Sequence, residues 1–396
     1  MQRRHLLQLG LAATLPGTRL WAAAPGTPRL LVVFLRGAYD AASLLVPVAS
    51  PFYDEARPSI AIARDATLPL DGDWGLAPAL ADSLHPLWQQ GQAAFVPFAG
   101  THDLSRSHFE TQDRIERGQP DDPAPGRPGG RDFRSGFLNR LAGVLGAGPQ
   151  AMAFTDQLPL ILRGGEPVAN QALRELGRGA LDAAQARAIA GMYAGSRLAG
   201  AVGGGFAVRD EVSRTLAGAG EMEAASRGAI PARGFALEAW RVARLMREHV
   251  ALGFIDVGGW DTHAAQGGAT GPLANRLGEL GRGLALFADE MGPRWRDTVV
   301  VVLSEFGRTF RENGSRGTDH GHGSVYWVLG GGLRGARVAG EQVAVAAATL
   351  HQGRDYPVLN EYRALLGGLF QRLYGLGDAQ LAAVFPGARP RDLGLV

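Results

Sequence analysis

The chain has 396 residues, with 40 Lys+Arg, 38 Asp+Glu and no Cys, and every one of its cationic residues is Arg because Lys is also missing. Without Cys there are no disulfides, thiol nucleophiles, iron–sulfur clusters or thiolate zinc sites, and without Lys there is no Schiff base or Walker A lysine. Catalysis therefore falls to Asp, Glu, His, Ser, Thr, Tyr, Arg or a metal. The N-terminal stretch reads MQRRHLLQLGLAATLPGTRLWAAAPG: Arg3 and Arg4, then an apolar middle, then Ala22, Ala23 and Ala24 before Pro25. This is the layout of an export signal over residues 1–24, and paired arginines before a moderately apolar run favour the twin-arginine translocase. Gln8, Gly10 and Pro16 leave the run too short to span a bilayer comfortably, so no stable membrane span is expected in the mature form. Its removal takes away Arg3, Arg4 and Arg19, leaving 37 Arg against 38 acids, and no basic stripe remains that would suit nucleic acid. A periplasmic or secreted protein is expected.

The rest of the chain, 25–396, reads as one domain. Residues 30–35 (LLVVFL) form a short continuous apolar run, as do 93–98, 254–257, 298–303 (TVVVVL) and 325–329. Such runs read as strands buried on both faces. The stretch opened by Ser105-Arg106-Ser107 continues as a helix to Glu116. After it, about 118–233 is read as a helical insertion or cap, because 121–132 is a Pro/Gly loop and 171–197 and 208–225 are rich in Ala, Arg and Glu. Ala236, Trp240, Ala243, Met246 and Val250 mark a further helix face. Leu273, Leu277, Leu280, Leu284, Phe287 and Met291 mark another, and 362–373 a last one. Alternating buried strands and amphipathic helices predict an α/β fold, a mostly parallel sheet flanked by helices on both faces.

In open α/β sheets, functional groups gather beyond the carboxyl ends of the strands. Arg36 and Asp40 follow the first run, Asp261 and His263 follow FIDVGG, and Ser304 and Glu305 follow TVVVVL; Asp319, His320 and His322 come from the next loop. Four of the nine His, at 108, 263, 320 and 322, lie in such segments. Asp261-Thr-His263 in a Gly-led loop can chelate one divalent ion, or serve as a turn cap beside a surface His. Thr318-Asp-His-Gly-His-Gly323 is denser, and two such clusters in one chain favour a metal over Gly-rich turns. Glu305 is either a ligand or the partner of Arg308. Ser105 reads slightly better as a helix cap and Ser107 as a nucleophile at a helix N-terminus.

On these residues the chain resembles the DUF1501 family, exported bacterial proteins grouped with the alkaline phosphatase and sulfatase superfamily. The segments that carry the resemblance are 34–47 (FLRGAYDAASLLVP), 85–100, 105–118 (SRSHFETQDRIERG), 258–263 (GGWDTH), 304–323 (SEFGRTFRENGSRGTDHGHG) and 384–387 (VFPG). The resemblance implies an alkaline-phosphatase-like fold and a phosphoryl or sulfuryl transfer site with one or two divalent metals, Zn, Mn or Ca. The superfamily's chain order falls on Asp40, nucleophile Ser107, Asp261 with His263, Glu305, and then His320 or His322. In one register Glu305-Phe306 takes the place of an Asp-His pair; in the other, Asp319-His320 is that pair and His322 the last ligand. Arg36 or Arg106 would clamp the anion. The absence of Cys, Lys and a Ser-x-Pro-Ser-Arg signature argues against a formylglycine sulfatase and leaves hydrolysis of a small anionic ester or modified glycan. The competing expectation is a catalytically degenerate envelope assembly or polysaccharide-export factor.

Overall fold

Residues 29–35, RLLVVFL, can bury every side chain only in the middle of a sheet covered on both sides, and all seven are buried. In the computed structural model, which describes residues 27–120, 132–146, 151–173, 183–225 and 234–396, they form the central strand of a nine-stranded sheet. The strands in chain order are β1 (Arg29–Leu35), β2 (Leu45–Val46), β3 (Leu68–Pro69), β4 (Gly75–Leu76), β5 (Ala93–Gly100), β6 (Ala151–Ala153), β7 (Ala169–Asn170), β8 (Leu252–Val257), β9 (Thr298–Ser304), β10 (Ser324–Leu329), β11 (Arg337–Val338) and β12 (Asn360–Glu361). The helices are α1 (Pro51–Ala56), α2 (Leu84–Gln89), α3 (His108–Arg117), α4 (Phe137–Val144), α5 (Ala183–Tyr193), α6 (Ala199–Ala225), α7 (Phe235–Glu248), α8 (Pro272–Met291), α9 (Tyr362–Tyr374) and α10 (Asp378–Val384).

The large sheet runs β11-β5-β10-β9-β1-β8-β6-β7, with β12 also on β5, and β2, β4 and β3 make a small separate sheet. Only the two ladders made by β10, with β5 and with β9, are antiparallel; the others are parallel. This is the mostly parallel α/β sheet that the apolar runs predict. Alternation along β1 splits the core in two. Leu31, Val33 and Leu35 pack with Val242 and Met246 of α7 and Leu277, Leu284 and Phe287 of α8. Leu30, Val32 and Phe34 pack with Leu141 of α4 and Leu366 and Phe370 of α9. Each such aliphatic or aromatic side chain contributes roughly 1.5–3 kcal/mol by leaving water.

One expectation needs correction. The span 118–233 is not wholly a helical insertion, because β6 and β7 extend the main sheet beyond β8, parallel to it. Strands of three and two residues, AMA and AN, are too short to carry a two-residue periodicity. The helical part of the reading falls on α5 and α6. The export segment 1–24 and most of the Pro/Gly loop at 121–132 lie outside the described residues. No helix among the described residues is long and apolar enough to cross a membrane.

Candidate metal centre

The sheet topology brings five chain segments to one edge. β8 and β9 both run parallel to β1, with Leu35 in register with Val257 and with Ser304. β10 runs the other way, so its first residue, Ser324, sits there too, paired with Ala99 near the end of β5. The chain leaves β1 through Arg36, Gly37 (φ 114°) and Ala38 (φ 54°). A side chain at Gly37 would put its Cβ 3.0 Å from the backbone nitrogen of Asp261, so this turn needs glycine both for its dihedral and for the close passage of the Asp261 loop. Ser107 caps α3, its hydroxyl accepting from the Glu110 N–H, and His108 is the first helical residue. Across the edge, an isolated bridge pairs Arg308 with His320. Gly317 packs its backbone on His263, where a Cβ would lie 2.4 Å from the His263 carbonyl.

Three imidazoles and one carboxylate meet here. His108 Nε2 lies 3.0 Å from His320 Nε2, and His263 Nε2 lies 3.2 Å from the same atom. Asp261 Oδ1 is 2.9 Å from His263 Nε2 and 3.3 Å from His320 Nε2, and Asp261 Oδ2 is 3.5 Å from His108 Nε2. Each imidazole is held from behind by an acceptor at Nδ1. For His108 it is Glu305 Oε1 at 2.8 Å, for His320 the Arg106 carbonyl at 3.0 Å, and for His263 Asp319 Oδ1 at 3.2 Å. A carboxylate or carbonyl can only accept, so each Nδ1 carries the proton and each Nε2 turns a lone pair towards the others. Lone pairs facing one another at 3.0 Å need a shared proton or a metal ion between them. Asp261 is a third acceptor at the same point, and a proton bridges only two. His108, Asp261 and His320 thus satisfy the spacing of a metal-ligand group. Zn–N bonds of about 2.0–2.1 Å in a tetrahedron put ligand atoms about 3.3 Å apart; the two imidazole nitrogens are 3.0 Å apart, and one oxygen of Asp261 lies 3.3 Å from His320 and the other 3.5 Å from His108.

The electrostatics follow from the neighbours. Desolvation works against ionised Glu305, yet hydrogen bonds from His108 and Gln112 outweigh it and hold its carboxyl below the usual range. The same hydrogen bond from the Glu305 side raises His108. His320 is lowered, first by burial, with His108 adding to the effect. Asp261 is also resisted by desolvation, but its ion pair with Arg308 keeps it below the ordinary carboxylate range. Phe306 stacks on His108 with ring centroids 5.0 Å apart and closes one side of the cluster with an apolar wall.

The other sequence candidates are placed as follows. Asp40 is not in the cluster: the Gly37–Ala38 turn carries it into the interior, where Arg57 grips it bidentately at 2.5 and 2.9 Å. His322 turns away towards His351, and burial lowers it to about 4. Glu305 accepts from Gly37 N, His108 Nδ1, Gln112 Nε2 and Ser304 Oγ, which makes it the orienting partner of His108 rather than a ligand or the partner of Arg308. Asp319 stands behind His263 and is itself held by Asn313. Arg36 is engaged at each nitrogen, with Asp256, Gln112 and Glu116, rather than with the cluster. The Arg106 guanidinium binds Asp355 and Gln352 while its carbonyl orients His320. Ser107 takes the helix-cap place that the sequence reading gave to Ser105, and Ser105 hydrogen-bonds Asp103.

The sequence places His108 at this edge without marking it as a ligand, offers Arg308 as a partner of Glu305 rather than of Asp261, and does not single out Gln112. His108 had a signal, since it lies in SRSHFE at a helix start beyond a strand; Gln112, one helical turn further on, had none beyond that spacing.

Comparison with known proteins comes down to three findings. Residues 27–385 match the family described as "Protein of unknown function (DUF1501)". No curated protein matches the chain. A crystal structure of a protein in the alkaline phosphatase superfamily from Vibrio parahaemolyticus aligns with 13% identity and a TM-score of 0.35 over 81% of this chain and 65% of that one. This chain therefore spans just under two thirds of that protein's length, and a likeness so shallow decides nothing about chemistry. The match over residues 27–385 makes the chain a member of the DUF1501 family.

Proposed function

We propose that this protein is an exported, divalent-metal-dependent hydrolase of phosphate or related esters. The observation that carries the reading is the convergence of His108 Nε2, His320 Nε2 and the Asp261 carboxylate, with both imidazoles fixed from behind by acceptors. A bound divalent ion would polarise an ester oxygen and acidify a water at that point. The donor set favours Zn or Mn over Ca, because imidazole nitrogen suits transition metals and Ca takes oxygen ligands. Glu305 fixes the His108 ring, and Arg308 fixes the Asp261 carboxylate. His263 and Asp261 stand at the open side of the cluster, where a substrate enters. Arg354 and Arg106 share Asp355 beside His320 and supply positive charge that suits an anionic ester or a modified glycan carrying one. With Ser107 capping α3, water is the attacking group. Export by the twin-arginine translocase, on the residues 1–24 signal, belongs to the same reading.

A second reading, a non-catalytic envelope assembly or polysaccharide-export factor, draws on the commitment of Asp40 to Arg57 and of Ser107 to a helix cap. Bound metal measured by elemental analysis, with turnover of phosphate mono- and diesters and sulfate esters in added Zn, Mn or Ca, separates the two. Metal-dependent turnover lost in Asp261→Ala and His320→Ala supports the hydrolase. Metal-free protein that turns over none of these esters, whatever ion is added, sinks it.

A further inference from the structure

Asp40, excluded from the cluster, lies at the far end of a continuous buried chain of hydrogen bonds that ends on Asp261. Arg57 donates to both Asp40 oxygens. Gln266 Nε2 donates to Asp40 Oδ2 at 2.7 Å, and Gln266 Oε1 accepts from Thr318 Oγ1 at 3.1 Å. Thr318 Oγ1 in turn accepts from Arg308 Nε at 3.2 Å, the Thr318 carbonyl accepts from Arg308 Nη2, and Arg308 Nη1 donates to Asp261 Oδ1. The sense of every link is fixed. Asp40 can only accept and Arg308 can only donate, which settles the Gln266 amide orientation and the Thr318 hydroxyl between them. Gln266 and Thr318 are wholly buried, and Asp40, Arg57 and Arg308 nearly so, so no water competes for these bonds. The chain crosses four segments, the β1 exit, α1's end, the Asp261 loop and the β9–β10 loop, none of which is regular secondary structure at that point.

We propose that Gln266 and Thr318 are positioning residues for the metal centre, transmitting the fixed Asp40–Arg57 pair through Arg308 to set the orientation of the Asp261 carboxylate. Asp261 needs this support. Its side chain is 40% exposed, whereas the Arg308 side chain that holds it is wholly inaccessible. A carboxylate on a Gly-led loop at an open edge would otherwise sample several rotamers, and a ligand that must first be ordered binds its ion more weakly. The inference rests on the proposed metal reading, since it takes Asp261 as a ligand.

The test is Co(II) titration of the purified protein, following the d–d absorption of the bound ion together with its dissociation constant. Gln266→Met and Thr318→Val should each weaken Co(II) binding about tenfold to a hundredfold and alter the d–d band. Thr318→Ser, which keeps the hydroxyl, should restore both. Thr318→Val preserves volume and removes a single hydroxyl, so it reads the link without opening the Gln266 pocket. Wild-type affinity and an unchanged band in Thr318→Val, with Asp261→Ala abolishing binding, would overturn the positioning role and leave the metal reading intact. Absence of Co(II) uptake by the wild-type protein would overturn both.

Discussion

Replacing Glu305 with glutamine isolates the charge behind His108 from the packing around it. Glu305 Oε1 accepts from Gly37 N, His108 Nδ1 and Gln112 Nε2, at 2.8, 2.8 and 2.9 Å, while Oε2 accepts from Ser304 Oγ at 2.8 Å. A glutamine carbonyl in the Oε1 place keeps all three of the first set. Its NH2 would then face Ser304 Oγ, which has a second acceptor, the Leu35 carbonyl at 2.6 Å, and can donate there while accepting from the amide. The hydrogen-bond pattern and the side-chain volume survive, and what is lost is the negative charge on the acceptor of His108. A charge-assisted bond is about twice as strong as a neutral one, and bonds to charged groups contribute about 1.5–3 kcal/mol against about 1 for neutral pairs. The difference of about 1 kcal/mol or more, felt through the His108 ring, corresponds to a loss of metal affinity of roughly tenfold. Competition with a chromophoric chelator for Zn measures it directly, with circular dichroism checking the fold. Affinity within twofold of wild type would refute a contribution of the Glu305 charge to metal binding through His108. A loss of a thousandfold or more, with a changed stoichiometry, would instead make Glu305 a ligand, as one reading of the SEFG segment has it.

Further predictions concern the elements that build this edge. Asp40→Asn should destabilise the fold by about 3–5 kcal/mol in urea denaturation at pH 7, because Arg57 is left as an uncompensated buried charge. Arg57 and the hydrogen bonds from Ser43 and Gln266 overcome desolvation and hold Asp40 below its ordinary range, so its contribution is complete above the unfolded value, about pH 4. It is lost as pH falls through the lower folded value, and the gap between wild type and Asp40→Asn should narrow on going from pH 7 to pH 3; a gap that widens contradicts the assignment. Ser107→Ala should cost about 0.5–2 kcal/mol as a lost helix cap while ester turnover persists, and loss of turnover without loss of stability would restore Ser107 as the nucleophile. Gly37→Ala should lower both the melting temperature and the metal affinity, since the new Cβ meets the Asp261 backbone at 3.0 Å in a φ of 114°; unchanged affinity would mean that this turn does not place Asp261.

The parts of this fold that were legible in the sequence are those with long, regular patterns. β1, β8, β9 and β10 are apolar runs that only a two-sided sheet can bury, and α8 shows its buried face through Leu273, Leu277, Leu280, Leu284, Phe287 and Met291. The rule that function gathers past the carboxyl ends of strands then brings Asp261, His263, Glu305 and His320 to one edge. What spacing does not encode is which group faces which. Asp40 sits five residues past the end of β1, at the edge where function gathers, but its partner Arg57 is 17 residues on and comes from the end of α1, with no local pattern to announce it. His320 and His322 are equivalent in the string GTDHGHG. One is turned to the cluster by the Arg106 carbonyl and the other to His351, by contacts that come from distant segments.

The residues 305–323 show why so long a segment without strands is kept between two central strands. An ordinary connection between β9 and its antiparallel neighbour β10 needs only a few residues. This one supplies Glu305 behind His108, Arg308 on Asp261, Asn313 on the carboxylate of Asp319, Asp319 behind His263, and His320 itself. The same loop folds back so that Gly307 N donates to the His322 carbonyl and Thr309 N to the Asp319 carbonyl, which fixes Arg308 opposite His320. The centre is therefore assembled around one loop that orients two neighbouring imidazoles and one carboxylate it does not itself carry. Inserting residues within 310–317 should uncouple these roles: the sheet core, to which the loop contributes Phe310, would persist, while His263 and Asp261 would lose their partners together. A variant with such an insertion that kept wild-type metal affinity would show that the centre does not depend on this loop's geometry.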